Sequence, residues 1–161
     1  MEEMFTFFWK SLSPFSQWHP AKFTVDGIVY NCAEQFMMHQ KAILFKDDVT
    51  ASEVLETEDP AGQKKLGRKV RGFDEDVWKK HRMQIVKAAS KAKFTQNDKL
   101  KSQLLATAGT TLVEASPVDR IWGIGLSATD KRAQRRETWR GQNLLGQALT
   151  ETRDEILAET K

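Results

Sequence analysis

The sequence predicts a mainly helical protein with a small β component (α+β), folded as a single domain. Six stretches carry apolar residues at the spacings of three and four that are typical of helices, whereas only short stretches alternate as strands do. A length of 161 residues is enough for one domain with a hydrophobic core. Neither an internal repeat nor a change in composition divides the chain, so we expect residues 1–161 to form one domain.

The predicted elements begin with β structure and continue mostly as helices. In chain order they are a strand at 4–10, a hairpin at 21–30, helices at about 32–46 and 50–57, a helix opened by Pro60, helices at about 75–93 and 97–109, a strand at 110–115 and a helix at about 142–159. The segment before the last helix, residues 116–141, has little periodicity. Loops of that length in a compact domain are usually functional.

Turn and cap residues support the first half of this assignment. Asp26-Gly27 lies between apolar runs and is a strong signal for a hairpin turn. Asn31 is predicted as the N-cap of the central helix, and Glu34 three residues later completes a variant of the capping box. Thr50 and Glu53 form the same pattern before the next helix.

Similar signals support the second half. Asp59-Pro60 places a proline at the first position of a helix, where its missing N–H costs nothing. Asp74 is predicted to cap the longest helix, and Gly109 to stop the one after it. Residues 110–115 favour a strand because they are rich in β-branched residues.

Composition excludes several classes of protein. The apolar fraction of 40% and the charged fraction of 29% are those of an ordinary globular protein. The single cysteine, Cys32, rules out a disulfide framework within one chain, and the three histidines lack metal-ligand spacing. We therefore expect no metal and no cofactor. No apolar run reaches a membrane span and no leader is recognisable, so we expect a cytoplasmic or nuclear protein without a membrane partner or an evident obligate protein partner.

Glu34 and Lys41 are the leading catalytic candidates. They lie seven residues apart, close to two turns, so both side chains fall near one stripe of the central helix, about 10 Å apart along its axis. A carboxylate and an amine so placed can approach a small substrate from both ends. The competing interpretation is that Glu34 serves the helix dipole and Lys41 is solvated.

Five tryptophans suggest the walls of a binding pocket. Trp18, Trp122 and Trp139 stand beside polar residues or glycine in predicted loops, which suits ring stacking against a ligand. Gly123 and Gly141 follow closely after two of them, and in the loop 122–125 the glycines allow the backbone to approach a ligand closely because they have no Cβ. Core packing is the alternative for these tryptophans, and it is the preferred interpretation for Trp78.

The chain has a net charge of +3, and one run of the sequence is locally basic. Residues 64–71 contain five basic side chains, which could attract a phosphate or a nucleic-acid backbone or simply form a solvated face. Asn143 near the start of the last helix adds a second candidate phosphate site, because free N–H groups there favour an anion. A plain cap and turn is the alternative for Asn143 and Gly141.

Several blocks of the sequence, taken together and in order, resemble one protein family. The blocks are Tyr30-Asn31-Cys32-Ala33-Glu34-Gln35-Phe36 with Lys41, Lys93-Phe94 followed by 104–107, 112–117 leading through Asp119 to 122–126, and 139–146 continuing to Leu149 and Arg153. The early loop 13–16 and Asp26-Gly27 match as well. This arrangement resembles the NADAR family, also called YbiA-like, over nearly the whole chain.

The resemblance implies a compact, mainly helical YbiA-like domain and an N-glycosidase activity. Family members are linked to phosphoribosyl-aminopyrimidine intermediates of riboflavin synthesis and to ADP-ribose attached to guanine in nucleic acid. The family's carboxylate and lysine correspond to Glu34 and Lys41. We expect the signature residues Tyr30 and Asn31 to contribute to substrate binding.

Both substrate groups join the anomeric carbon of the sugar to an exocyclic amine. Such a glycosylamine can open to an imine, which Lys41 could exchange for its own Schiff base while Glu34 moves protons. A two-carboxylate glycosidase is the competing mechanism, with Asp119 or Glu114 as the second acid. Asp119 is alternatively a partner for ribose hydroxyls.

We therefore predict a hydrolase that removes ADP-ribose or phosphoribose from a base amine, with ADP-ribosylated guanine in nucleic acid preferred. The riboflavin intermediates remain an alternative substrate. A noncatalytic module that binds ADP-ribose or NAD is the alternative of another class, because it would need neither Glu34 nor Lys41.

Overall fold

Six helices and four short strands form the described part of the protein, which is residues 2–160 of a computed structural model. The strands are β1 Phe5–Phe8, β2 Phe23–Val25, β3 Ile28–Tyr30 and β4 Thr111–Glu114. The helices are α1 Ala33–Leu44, α2 Asp48–Glu56, α3 Pro60–Gly67, α4 Glu75–Thr95, α5 Asp98–Leu105 and α6 Leu144–Glu159. The predicted fold class, mainly helical with a small β component, is confirmed. None of these helices is long and apolar enough to cross a membrane.

The chain groups into two compact units, which we describe separately. The helical unit comprises Pro20–Asn97, and the terminal unit combines Met1–His19 with Asp98–Lys161. The prediction of one domain for the whole chain stays a prediction.

The helical unit is built around α1, which packs against α2, α3 and α4. Strands β2 and β3 form an antiparallel hairpin, with Phe23 opposite Tyr30. Asp26 and Gly27 both have positive φ, of 50° and 80°, so the predicted Asp-Gly turn is confirmed. The core of the unit is aromatic and small side chains from the hairpin, α1 and α4, namely Phe23, Tyr30, Ala33, Phe36 and Ala89.

The terminal unit has a two-stranded parallel sheet, in which β1 pairs with β4 from Phe5 opposite Thr111 to Phe8 opposite Glu114. Helix α6 packs against β4. The long segment between β4 and α6 contains two 3₁₀ turns, Lys131–Gln134 and Arg136–Thr138. Its residues Ile124, Leu126 and Ala133 join the core of this unit, so the segment is an ordered, partly buried loop.

Two predicted helix caps are wrong. The N-cap of α1 is Cys32 rather than Asn31, because the Asn31 side chain is bonded elsewhere: it donates to the Glu58 carbonyl and accepts from Gln63. The N-cap of α2 is Asp47 rather than Thr50, and Thr50 donates both its N–H and its hydroxyl to the Asp47 carboxylate.

Two other cap predictions hold, whereas the predicted stop at Gly109 does not, because α5 already ends at Leu105. Asp59 caps α3 and accepts from the Gly62 N–H, with Pro60 at the first helical position. Asp74 caps α4 and accepts from two N–H groups of the first turn. Short polar residues directly before an apolar periodic run therefore located these two helix starts correctly.

Candidate active site on helix α1

Glu34 and Lys41 both lie on α1, at opposite ends of the helix. Only 4% of Glu34 is exposed, although a carboxylate in the first turn of a helix is usually solvated. Lys41 is half-buried. This placement excludes a solvated helix face for Glu34, and buried ionisable side chains are common at functional sites.

The amine of Lys41 lies over aromatic rings. Its Nζ is 4.6 Å from the ring centre of Phe73 and 5.5 Å from that of Trp78. Burial lowers the pKa of Lys41, the Glu34 carboxylate opposes this by raising it, and the charge of Arg68 lowers it further. The amine is therefore neutral more often than that of a solvated lysine, and a nucleophilic lysine needs its neutral form.

A second buried lysine, Lys93 on α4, was not among the predicted site residues. It is almost fully buried, and burial lowers its pKa to about 7. It interacts electrostatically with Cys32, whose thiol pKa is raised to about 11, mainly by burial. Glu34 also acts on the Cys32 thiol, so Lys93, Cys32 and Glu34 share the N-terminal end of α1.

A polar network fixes the start of α1. Gln35 accepts the Asn31 N–H through Oε1 at 2.8 Å and donates through Nε2 to the Val54 carbonyl at 3.1 Å. Gln63 on α3 accepts from the Cys32 thiol at 3.2 Å and donates to Asn31 Oδ1 at 3.1 Å. The turn that carries Glu34 is thus connected to two neighbouring segments.

Tyr30 and Asn31, both predicted to bind substrate, have structural contacts in the helical unit. Tyr30 is buried in the aromatic core, where its hydroxyl and His39 Nδ1 are 2.9 Å apart. Burial raises the pKa of Tyr30 and lowers that of His39, which keeps both groups neutral near pH 7. The side chain of Asn31 belongs to the network with Gln63. Substrate contact by either residue stays a prediction.

The terminal unit holds Asp119 and Trp122 in one turn. The Asp119 carboxylate accepts the N–H groups of Ile121 and Trp122 at 2.9 and 2.8 Å. The ring of Trp122 is partly exposed. Asp119 therefore organises this turn, and its predicted contact with ribose stays a prediction.

The α6 N-terminus does not offer the phosphate site predicted beside Asn143. The N–H groups of Asn143, Leu144 and Leu145 are donated to the carbonyls of Gly123, Ile121 and Trp122. The Asn143 side chain accepts the Glu114 N–H and donates to the Leu112 carbonyl, which ties α6 to β4. These three backbone donors are already engaged and are not free to bind a phosphate, and substrate contact by Asn143 stays a prediction.

The two glycines that were predicted to lie at the site pack closely against other backbone segments. A Cβ on Gly123 would lie 2.9 Å from the Glu114 carbonyl oxygen, and one on Gly141 would lie 2.3 Å from the Gly123 carbonyl oxygen. Both positions need glycine because two chain segments meet there. The close contacts in the structure are with the protein's own backbone, and the predicted close approach to a ligand stays a prediction.

Trp139 and Trp18 differ in their surroundings. Trp139 packs on Phe5, with ring centres 5.3 Å apart, and its indole N–H donates to the Ala133 carbonyl. It belongs to the core of the terminal unit, as the alternative interpretation held. Trp18 is partly exposed in the loop before Pro20, and its backbone N–H donates to the Ser16 hydroxyl. Stacking of a ligand on either ring stays a prediction.

Sequence reasoning did not assign Lys93, Gln63 or Phe73 to the site, although Lys93 belongs to one of the blocks that resemble the family. A weak signal existed for Lys93, because it lies where the helical pattern of α4 places apolar residues. Gln63 is fully buried on a helix that otherwise looks solvated. Among residues 2–160, no group of three or more histidine, cysteine or acidic side chains is arranged to hold a metal ion.

Comparison with known proteins identifies the family. The sequence model of the NADAR domain matches residues 7–157. The chain belongs to the NADAR family. Among NADAR relatives, N-glycosidase R617 of Acanthamoeba polyphaga mimivirus is 42% identical over 146 residues, which cover 88% of this chain and 86% of the relative.

Two further NADAR relatives extend this result. N-glycosidase YbiA of Escherichia coli is 31% identical over 147 residues, which cover 91% of this chain and 81% of that protein. Its NMR structure matches with a TM-score of 0.80 at 26% identity, covering 99% of this chain and 89% of that one, which confirms the predicted YbiA-like fold. The riboflavin biosynthesis protein VVA0006 of Vibrio vulnificus is 32% identical over 142 residues, covering 88% of this chain but only 35% of that longer protein.

Proposed function

We propose that this NADAR protein is an N-glycosidase that removes ADP-ribose from the exocyclic amine of guanine in nucleic acid. The observation that carries the proposal is the buried Glu34 on the same helix as Lys41, whose pKa is lowered by burial. Two relatives that align over most of their length are named N-glycosidases, which supports the reaction class.

The mechanism follows from the chemistry of a glycosylamine. Glu34 donates a proton to the ring oxygen as the bond from this oxygen to the anomeric carbon breaks, which leaves an imine to the base nitrogen. The neutral amine of Lys41 adds to that carbon, a proton passes from the lysine nitrogen to the base nitrogen, and the bond from the carbon to the base breaks, so that the base leaves as its free amine. Water then adds to the Lys41 Schiff base while Glu34 accepts a proton from it. The bond from the carbon to the lysine nitrogen breaks, Lys41 leaves as the amine, and the ring hydroxyl adds to the aldehyde, so that the sugar is released with a free anomeric hydroxyl.

Reduction with borohydride tests the covalent step. A guanine oligonucleotide carrying ADP-ribose is incubated with the protein and sodium borohydride, and the peptides are mapped by mass spectrometry. The expected result is a reduced sugar adduct on Lys41 that is absent in Lys41→Met. The matched control is Lys80→Met, which removes an exposed lysine of α4. Full turnover without any adduct would remove the covalent role of Lys41.

The preference for nucleic acid rests on basic residues of α3. Lys64 and Lys65 are exposed and lie in its last turn. Each lost phosphate contact should reduce the slope of log affinity against log salt by about 0.9 on duplex DNA and about 0.7 on single strands. Lys64→Gln/Lys65→Gln should therefore weaken binding mainly at low salt. Arg68 is left in place because its charge also acts on Lys41.

One relative supports a second substrate. The name of VVA0006 connects a longer NADAR protein to riboflavin biosynthesis. A phosphoribosyl-aminopyrimidine carries the same kind of bond to an exocyclic amine, so Glu34 and Lys41 could act on it by the same steps. Measuring kcat/KM for this compound beside the modified guanine oligonucleotide decides between the two. A higher value for the pyrimidine would replace our proposed substrate while leaving the reaction class intact.

A further inference from the structure

Phe73 is an exposed aromatic residue directly beside the candidate nucleophile. It is 44% exposed, and the Lys41 Nζ lies 4.6 Å from its ring centre. Trp78, the other ring near this amine, is buried and packs within the helical unit. Of these two aromatic neighbours of Lys41, Phe73 is the one whose surface a ligand can reach.

Contacts with neighbouring residues restrain the position of Phe73. Its ring meets Phe45 in an edge-to-face arrangement, with ring centres 5.3 Å apart. Gly72 before it has φ +76°, and the Arg71 N–H donates to the Asp47 carboxylate at 2.9 Å, which ties the loop to the start of α2. Phe45 also lines an open cleft of about 470 Å³. Phe73 thus lies on a restrained loop, directly after a residue that lines this cleft and in contact with another.

The proposed reaction places a base next to this ring. To be attacked, the anomeric carbon must come within about 3.5 Å of Lys41 Nζ, and the base is joined to that carbon through a single nitrogen, so its ring begins within about 6 Å of Nζ. An aromatic face 4.6 Å from Nζ lies in that range. Flat heteroaromatic rings stack on such faces without a need for specific hydrogen bonds.

We infer that Phe73 is a substrate-binding residue that stacks on the purine base of the leaving group and helps determine which base is released. The inference rests on the proposed function, because that function places the base beside Lys41. It adds a binding subsite for a purine to the catalytic pair.

Phe73 could instead act only as a cation–π partner of Lys41, and the two roles lead to different expected results when Phe73 is replaced. A cation–π partner stabilises the charged amine. Its removal would lower the pKa of Lys41 and move the acidic limb of the pH–rate profile to lower pH, without changing affinity for the free base. Stacking instead affects KM and the binding of the released product.

The experiment compares Phe73→Leu, Phe73→Trp and the control Ile43→Ala, which alters a 45% exposed residue of α1. The readouts are KM and kcat on the modified guanine oligonucleotide, the pH–rate profile, and the Kd of guanosine monophosphate by calorimetry. We expect Phe73→Leu to raise KM and Kd by about 5- to 100-fold with a smaller change in kcat. Phe73→Trp should restore both, and Ile43→Ala should leave both unchanged.

The outcomes separate this inference from the function on which it rests. Unchanged KM and Kd in Phe73→Leu overturn the stacking role, as does an equal loss in the leucine and tryptophan variants. If the wild-type protein releases no ADP-ribose at all, the proposed function fails, and the affinities for guanosine monophosphate alone decide the role of Phe73.

Discussion

In the helical unit, Glu34 and Lys93 are ionisable side chains held in buried positions next to the start of α1. In the terminal unit, the side-chain oxygens of Asp119 and Asn143 accept hydrogen bonds from backbone N–H groups of the same unit. The first arrangement is typical of a site that performs chemistry. The second arrangement contributes stability and shapes a loop.

This difference shows how to interpret a motif that contains polar residues and glycines. In the terminal unit, the same residue types that suggested a pocket are needed to bring backbone segments together, as at Gly141. In the helical unit, the charged residues Glu34 and Lys93 instead occupy buried positions, where apolar residues are more common. Four predictions test the contrast, from the largest expected effect to the smallest.

Glu34→Gln should lower kcat/KM for the modified oligonucleotide by about 10²- to 10⁴-fold, because it removes a general acid–base group while keeping the side-chain shape. Its melting temperature should not fall, since a neutral amide is less unfavourable than a carboxylate when buried. Steady-state kinetics and thermal unfolding measure both. The matched control is Glu56→Gln on α2, an exposed residue.

The same variant separates an enzyme from a noncatalytic binding module. If Glu34→Gln still binds ADP-ribose but no longer turns over the substrate, the protein is an enzyme. A wild-type protein that binds ADP-ribose without any turnover would be a binding module, and the catalytic contrast between the units would disappear.

Gly141→Ala should lower the free energy of unfolding by about 3 kcal/mol, because a Cβ there meets a backbone oxygen that cannot move alone. The Cβ would lie 2.3 Å from the Gly123 carbonyl oxygen. Gly109→Ala is the control: it has φ +87° but no atom within 4 Å of the new Cβ, so about 1 kcal/mol is expected. Urea unfolding gives both values, and equal losses would contradict a role in close packing.

Because Lys93 is buried, the free energy of unfolding should depend on pH. Burial lowers its pKa to about 7 in the folded protein, well below the value of about 10.4 in an unfolded chain. Between these values the unfolded state binds more protons, so stability should rise as the pH increases. From pH 7 to pH 9 the gain should be about 2 kcal/mol.

Lys93→Met should abolish this rise and be more stable than wild type near pH 7. Urea unfolding at pH 7, 8 and 9 gives the free energy of unfolding of each protein. Lys80→Met is the control at an exposed position of the same helix. A wild-type stability that is flat or falls over this range would show that Lys93 is charged when folded.

Asp119→Asn should have the smallest effect. The amide oxygen can still accept the N–H groups of Ile121 and Trp122, so we expect kcat/KM to change by no more than about threefold. Asp119→Ala should cost about 1 to 2 kcal/mol of stability, because both N–H groups lose their partner. A large loss of kcat/KM in Asp119→Asn, with stability intact, would instead support the predicted contact with ribose.

Local sequence patterns predicted much of the fold. Asp26-Gly27 located the hairpin, and Asp59-Pro60 and Asp74 located two helix starts, because each signal acts through its own neighbouring backbone. The caps at Asn31 and Thr50 were predicted by the same rule and failed. Asn31 binds Gln63, 32 residues away in sequence, and Asp47 precedes Thr50 and caps the helix first.

The sequence by itself determined the helical class, the family resemblance and the presence of Glu34 and Lys41 on one helix, because seven residues make about two turns whatever surrounds them. The tertiary structure alone decided that Glu34 is buried, that Phe73 lies against the Lys41 amine, and that the Asn143 oxygen is bonded to β4. Burial and long-range partners depend on which segments pack together, and no spacing within a single segment encodes them.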